Sequence, residues 1–253
     1  MKKIILFQLL ILFGVFIGSA QVFGEAPGAG TSAESNIYSN FQKKTPMMQE
    51  LFQKIRNSSS EIKYDLGETI GSPFENKEYK NAKVLYDGEF LGDFYYRFNA
   101  YNQEIELKKT DLSEEKIQAL IKHPKVTLAA NDESYVYRFM QTQNKKTEEG
   151  YLKLFYEGDT YKLYERYFVK FKEGKPAENS MVTAISSKFS GYTEYYYGKS
   201  DNNIISEIPT KQSKFLKILP KKQTDNIKDY IESNDIDLTN KNDLSVIFNL
   251  MEE

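Results

Sequence analysis

The residues that could carry chemistry are few. There is one histidine, His123, directly before Pro124, and the 253-residue chain has no cysteine. A serine or cysteine nucleophile would need that histidine as its base, and no Gly-x-Ser-x-Gly turn occurs. The expectation is that His123 ends a helix, where a hydrogen-bond donor suits the open carbonyls. A zinc site drawing on Cys and His has too few ligands. Calcium needs only oxygen, and Asp235-Ile236-Asp237-Leu238-Thr239-Asn240 begins like an EF-hand loop. The loop fails at its sixth position, which is not Gly, and at its twelfth, where Val246 stands for Glu. These residues read as caps for the next helix. No Gly-rich phosphate cradle precedes a helix, so neither a metal nor a cofactor is expected.

The carboxylates remain. Hydrolysis of a glycan or peptide needs only two acids at the right separation, but with 36 Asp and Glu some pair always qualifies. Asp87, Glu89 and Asp93 cluster at a hairpin tip, where acids serve as solvated turn residues. The aromatic excess is more distinctive, with 19 Tyr, 17 Phe and no Trp. Tyr95, Tyr101, Tyr164, Tyr195 and Tyr197 fall on strands, opposite or beside the core faces. Sharing one outer face, they would stack on sugar rings or receive a protein strand. Cross-strand pairing that stabilises a sheet is the simpler account of the same residues.

The elements that position these side chains begin with an export signal. Met1-Lys2-Lys3, an apolar run Ile4–Ile17 and Gly18-Ser19-Ala20 form the three parts of a cleavable signal peptide over residues 1–20. The run is 14 residues, too short for a spanning helix, which takes about 20. Cleavage before Gln21 leaves a chain with no membrane span and no cysteine for lipid attachment. Residues 21–42 read as a flexible leader, small and polar through Gly24–Ser35. Removing Lys2 and Lys3 leaves 32 basic against 36 acidic residues, with no excess to hold nucleic acid. The expected partner is an envelope protein or a polysaccharide.

Thr45-Pro46 opens a short helix carrying Met47, Leu51 and Ile55 on one stripe. It begins a β-rich body over residues 43–209. Asp87-Gly88 marks a hairpin between Lys83–Tyr86 and Phe90–Leu91. Phe94, Tyr96 and Phe98, then Ile105 and Leu107, alternate as strands do. Asp111 and Glu114 look like a capping box for a helix through Ile117, Leu120 and Ile121, stopped by Pro124. Val126–Ala129 and Tyr135–Met140 flank Asn131-Asp132 as a second hairpin. Tyr151–Tyr156 and Tyr161–Lys172 make a third around Glu157-Gly158-Asp159. Glu165 interrupts the apolar face of its strand and suggests a bulge or an edge. Lys175–Lys188 reads as an irregular crossover, and Tyr192–Tyr197 with Ile204–Ile208 as a last pair. Residues 210–253 return to helical period as a cap of about three helices. The expected class is α+β: an antiparallel β-meander, sheet or partly closed barrel, with a short N-terminal helix and a C-terminal helical cap.

Several segments carry a resemblance. These are Gly71-Ser72-Pro73-Phe74, the Lys83–Glu89 hairpin, Arg97-Phe98-Asn99-Ala100-Tyr101-Asn102-Gln103-Glu104-Ile105-Glu106, Tyr167–Lys172 and the stretch from Lys211 onward. In that order they resemble a group of uncharacterised exported β-rich proteins of environmental, polymer-degrading Gram-negative bacteria. The likeness covers most of residues 67–253, departing at Phe74 and Phe98, where the group has Tyr. It implies an envelope location and supplies no catalytic or binding residue.

Overall fold

A computed structural model describes residues 69–131, 133–177, 179, 181, 183–199 and 204–252. The expected signal peptide, leader and helix from Thr45 fall on residues outside those described. Ten strands form one sheet: β1 (Lys80–Tyr86), β2 (Glu89–Asn99), β3 (Glu104–Lys108), β4 (Gln118–Ala119), β5 (Val126–Ala130), β6 (Ser134–Gln141), β7 (Thr147–Glu157), β8 (Tyr161–Lys172), β9 (Lys188–Lys199) and β10 (Ile204–Glu207). Their order is β10-β9-β8-β7-β6-β5-β1-β2-β3-β4. Three short α-helices follow, α1 (Gln212–Phe215), α2 (Thr224–Asn234) and α3 (Lys241–Leu250), with a 3-10 turn at Leu216–Ile218.

The β-rich body with a C-terminal helical cap is as the period change implies. Asp87 and Gly88 both take positive φ, 52° and 80°, the two-residue hairpin turn that Asp-Gly favours. The sheet departs from a simple antiparallel meander in two places. After β4 the chain returns so that β5 pairs with β1. Strand β10 pairs antiparallel with β9 and parallel with β6, which closes β6–β10 into a five-stranded ring. Val136, Met140, Leu152, Tyr164, Tyr196 and Ile205, one or more from each ring strand, fill its inside. A Cβ at Gly198 would lie 2.7 Å from Ile205, so a glycine there lets β10 close against β9.

The other face of the sheet carries two cores. One gathers Phe94, Tyr96, Phe98, Ile105, Leu107 and Leu128 with Tyr137 and Tyr151. The second lies under the helices, where Tyr161 and Leu163 of β8 meet Phe215, Ile227, Ile231, Leu244, Ile247 and Phe248. The end of the chain is tied to the β7–β8 turn: the Glu252 carboxylate accepts from the backbone N–H of Thr160 and Tyr161, each at 2.9 Å.

Four sequence expectations need correction. Residues 111–121 form no helix. Glu115 folds back to accept from the N–H groups of Lys109 and Thr110, both at 2.7 Å, and the released chain runs extended as β4. Leu120 then reaches the core with its N–H on Ile105; the helical spacing also suits a turn followed by a short strand. His123 accordingly lies in the loop before β5, its Nδ1 accepting from the Lys125 N–H at 3.2 Å. The register shift falls between Leu154 and Tyr156 of β7. It is not at Glu165, because β8 pairs in unbroken register with β9. Strands β8 and β9 are antiparallel neighbours, and Lys175 bridges Ile185 between them, so the chain makes no crossover there.

Candidate functional site

Between the two cores the same sheet face carries charge. The register places Tyr135 opposite Lys153, and Lys153 opposite Glu165, so these side chains project to one side. Lys153 is an interior-strand lysine flanked by Leu152 and Leu154, and its side chain is only 16% exposed. A lysine held so far out of water needs anionic partners, and it has two. Its Nζ lies 2.7 Å from Glu75 Oε1 and 2.8 Å from Glu133 Oε1.

Each carboxylate is delivered by a different loop. Glu133 sits in the β5–β6 turn, where its carbonyl accepts from the Ala130 N–H. Glu75 precedes β1 and is anchored through its own N–H to the Phe98 carbonyl at 3.1 Å. The second oxygens are also bonded: the Tyr135 hydroxyl donates to Glu75 Oε2 at 2.7 Å, and the Tyr96 hydroxyl to Glu133 Oε2 at 3.2 Å. The two tyrosine rings meet edge to face at 5.8 Å.

The electrostatics follow from that geometry. Burial raises the Glu133 carboxyl, but the hydrogen bond and attraction of Lys153, with Lys80 and Tyr96 beside it, outweigh burial and hold it below the ordinary glutamate value. Burial likewise opposes the Lys153 charge, and the two glutamates overcome it and hold the ammonium above its usual range. Burial foremost, then the adjacent carboxylates, push the Tyr96 and Tyr135 hydroxyls up, keeping them neutral donors.

This cluster opens on a cleft of about 120 Å³ lined also by Asn76, Lys80 and Phe98. Glu133 and Lys153 also line a neighbouring hollow of about 260 Å³, whose far wall is Phe155, Glu165, Lys241, Asn242 and Ser245. The β7 bulge sets Phe155 against Tyr195, ring centres 5.7 Å apart. Helix α3 begins here with Asn240 accepting from the Asn242 N–H at 2.8 Å, the capping role its sequence indicates. Lys241 Nζ lies 3.8 Å from Glu165. The two hollows adjoin at Glu133 and Lys153, and the groove they outline over β6–β8 ends at the start of α3.

Two further charged networks brace the sheet. Glu106, 4% exposed, accepts from Arg97 Nε at 3.1 Å and Nη2 at 2.6 Å, Asn99 at 3.1 Å and Tyr79 at 3.2 Å. Arg97 and Glu106 are opposite each other in the β2–β3 register, which shows why that motif carries both. Arg166 bridges Glu148 at 2.7 Å and Glu194 at 3.3 Å.

The five tyrosines singled out by the sequence occupy separate places. Tyr95 is half-buried on the other face of β2, opposite Lys108. Tyr101 is 43% exposed, edge-on to Phe171 and Phe189. Tyr164 is buried inside the ring. Tyr195 and Tyr197 are half-buried against the helical cap, and Tyr195 stands beside the groove through Phe155. The groove residues Glu75, Glu133 and Lys153 were not singled out by sequence; the one local signal was Lys153, a lone charge inside an apolar strand. The chain matches no protein-family model, no curated protein and no solved structure.

Proposed function

We propose that this chain is exported through residues 1–20 and acts in the periplasm or outside the cell as a non-catalytic binding module. Its contact surface is the groove from Glu75 to Ser245. The export reading rests on Lys2-Lys3, the apolar run and Gly18-Ser19-Ala20. The observation that carries the binding reading is Lys153 seated between Glu75 and Glu133. General acid catalysis near neutral pH needs a carboxyl raised toward that pH, whereas Glu133 is held low. The tyrosines are held as neutral donors. Groups held in these states position a ligand by hydrogen bonds.

One observation favours a second reading, a carboxylate-dependent hydrolase acting on glycan or peptide: two carboxylates do converge on one cleft. Their shared lysine weighs against it. The third possibility raised by an aromatic-rich barrel, a carrier of an apolar ligand, would use the ring interior, which Tyr164, Tyr196 and Met140 occupy.

The test uses the protein recovered from its host. N-terminal sequencing of the exported form is expected to begin at Gln21. Immobilised protein is expected to retain a reproducible envelope component, and Lys153→Met to lose it. Release of cleavage products from glycan or peptide, abolished by Glu75→Gln or Glu133→Gln, would overturn the binding reading in favour of the hydrolase.

A further inference from the structure

We propose that the groove binds a neutral, hydroxyl-rich saccharide segment; this rests on the binding reading above and names its ligand. The first support is charge. The groove is dense in ionic groups, yet those shielded from water are spent on one another: Lys153 on Glu75 and Glu133, and Arg97 on Glu106. The other charged lining residues, Glu78 with Lys80 and Glu165 with Lys241, balance in sign, and all but Glu165 are exposed. At the Lys153 cluster a phosphate or an ammonium would have to break one of these pairs before gaining its own, and breaking a half-buried pair is costly. A neutral ligand need not. Each bonded oxygen of Glu75 and Glu133 accepts one hydrogen bond from the protein and retains a second acceptor site. Hydroxyl groups can fill those sites without disturbing the lysine.

The second support is the far wall. Ser245 donates its hydroxyl to the Lys241 carbonyl at 2.9 Å, which leaves its oxygen free to accept. The Asn242 side chain supplies both donor and acceptor. Phe155, half-buried at the β7 bulge, offers an apolar surface between these polar ends. Alternating hydrogen-bonding groups with an aromatic ring suits a sugar, which has hydroxyls around its rim and C–H groups on its faces. The hollows, about 120 and 260 Å³, give room for a short segment rather than a single small ion.

The third support is topology. A peptide that binds by strand addition needs an open strand edge. The groove lies over β6, β7 and β8, each of which is paired on both sides, so no strand edge is offered there.

The experiment is calorimetric titration of the purified chain with short neutral oligosaccharides of the cello, malto, xylo and manno series. Oligogalacturonates and chitosan oligomers serve as charged counterparts. Ser245→Tyr fills the far hollow from a half-exposed helix position and is expected to keep the thermal midpoint of the parent. At least one neutral series is expected to bind, weakened about tenfold or more by Ser245→Tyr and by Glu133→Gln. Binding of charged oligomers alone, or neutral binding that neither variant weakens, would overturn the proposal. If no saccharide binds while the chain still retains an envelope protein, this inference fails and the binding-module reading stands. If a bound neutral saccharide is shortened, the ligand assignment stands and the non-catalytic reading fails.

Discussion

Lys153 Nζ and Glu133 Oε1 lie 2.8 Å apart, one from the middle of β7 and the other from the β5–β6 turn. The same ammonium holds Glu75, from the segment before β1. A single lysine thus ties three parts of the chain at the mouth of the groove, and its removal has a definite consequence.

Lys153→Met leaves two carboxylates without their cation in a partly desolvated cleft. The expected cost is about 1–3 kcal/mol, below the 3–5 kcal/mol of a fully buried pair because all three groups retain some exposure. Chemical denaturation measures it. Adding Glu133→Gln to Lys153→Met is expected to recover part of the loss, and the double-mutant cycle to give a coupling of about 0.5–3 kcal/mol. Strict additivity would show that the pair does not interact.

The pair also sets a pH window. Glu133 has its folded carboxyl held below the ordinary value, so its stabilising share is present above the unfolded value, about 4.3, and is lost as pH falls through the lower folded value. Lys153 is raised in the folded protein; its share is fully present below the unfolded value, about 10.4, and is lost as pH rises through the folded one. Denaturation midpoints measured across pH are expected to show Glu133→Gln losing least, relative to the parent, in acid. A parent that gained stability on acidification through this region, relative to Glu133→Gln, would reverse the sign.

Glu106 lies buried beneath four hydrogen bonds, two of them from Arg97. Glu106→Gln keeps the shape but removes the charge, and an almost buried guanidinium is left without its anion. The expected loss is about 3 kcal/mol, read by denaturant midpoint. The mirror variant Arg97→Met with Glu106→Met should cost less than Glu106→Gln alone, since both charges leave together.

Phe248 anchors the helical cap, with ring centres 5.4 Å from Tyr161, 5.7 Å from Tyr197 and 6.4 Å from Phe215. It is fully buried. Phe248→Ala is expected to cost about 3–5 kcal/mol through lost packing and the cavity left behind. At the other end of the sheet, Gly88→Ala meets no atom within 4 Å but must hold φ of 80°, and about 1–2 kcal/mol is expected from backbone strain alone.

Local chemistry made the hairpins legible. Asp87-Gly88 specifies its turn, and alternation along Phe94, Tyr96 and Phe98 specifies which side is core. The helical cap was legible for the same reason, since Leu244, Ile247 and Phe248 recur at helical spacing and are all buried. The segment 111–121 misled because Ile117, Leu120 and Ile121 fit either a helix or a turn followed by a strand, and Glu115 settles the matter by bonding backward. Closure of the ring was hidden, as it depends on a parallel pairing of Ile204 with Phe139 across a long stretch of chain. The groove was hidden for a related reason. Glu75, Glu133 and Lys153 come from three separate segments, and only the folded sheet with its two loops brings them within a hydrogen bond. The tyrosine-rich strands were recognised, but burial inside the ring and under the cap accounts for Tyr164, Tyr195 and Tyr197.

The central claim is that this cleft holds the Glu133 carboxylate charged for contact rather than poised for proton transfer. Carbon-detected NMR titration of the Glu133 side-chain carboxyl tests it most directly. The expected midpoint lies below the ordinary glutamate value of about 4.3 and moves upward in Lys153→Met. A midpoint near neutral pH in the parent protein would mean that Glu133 carries a usable proton, and would contradict the account.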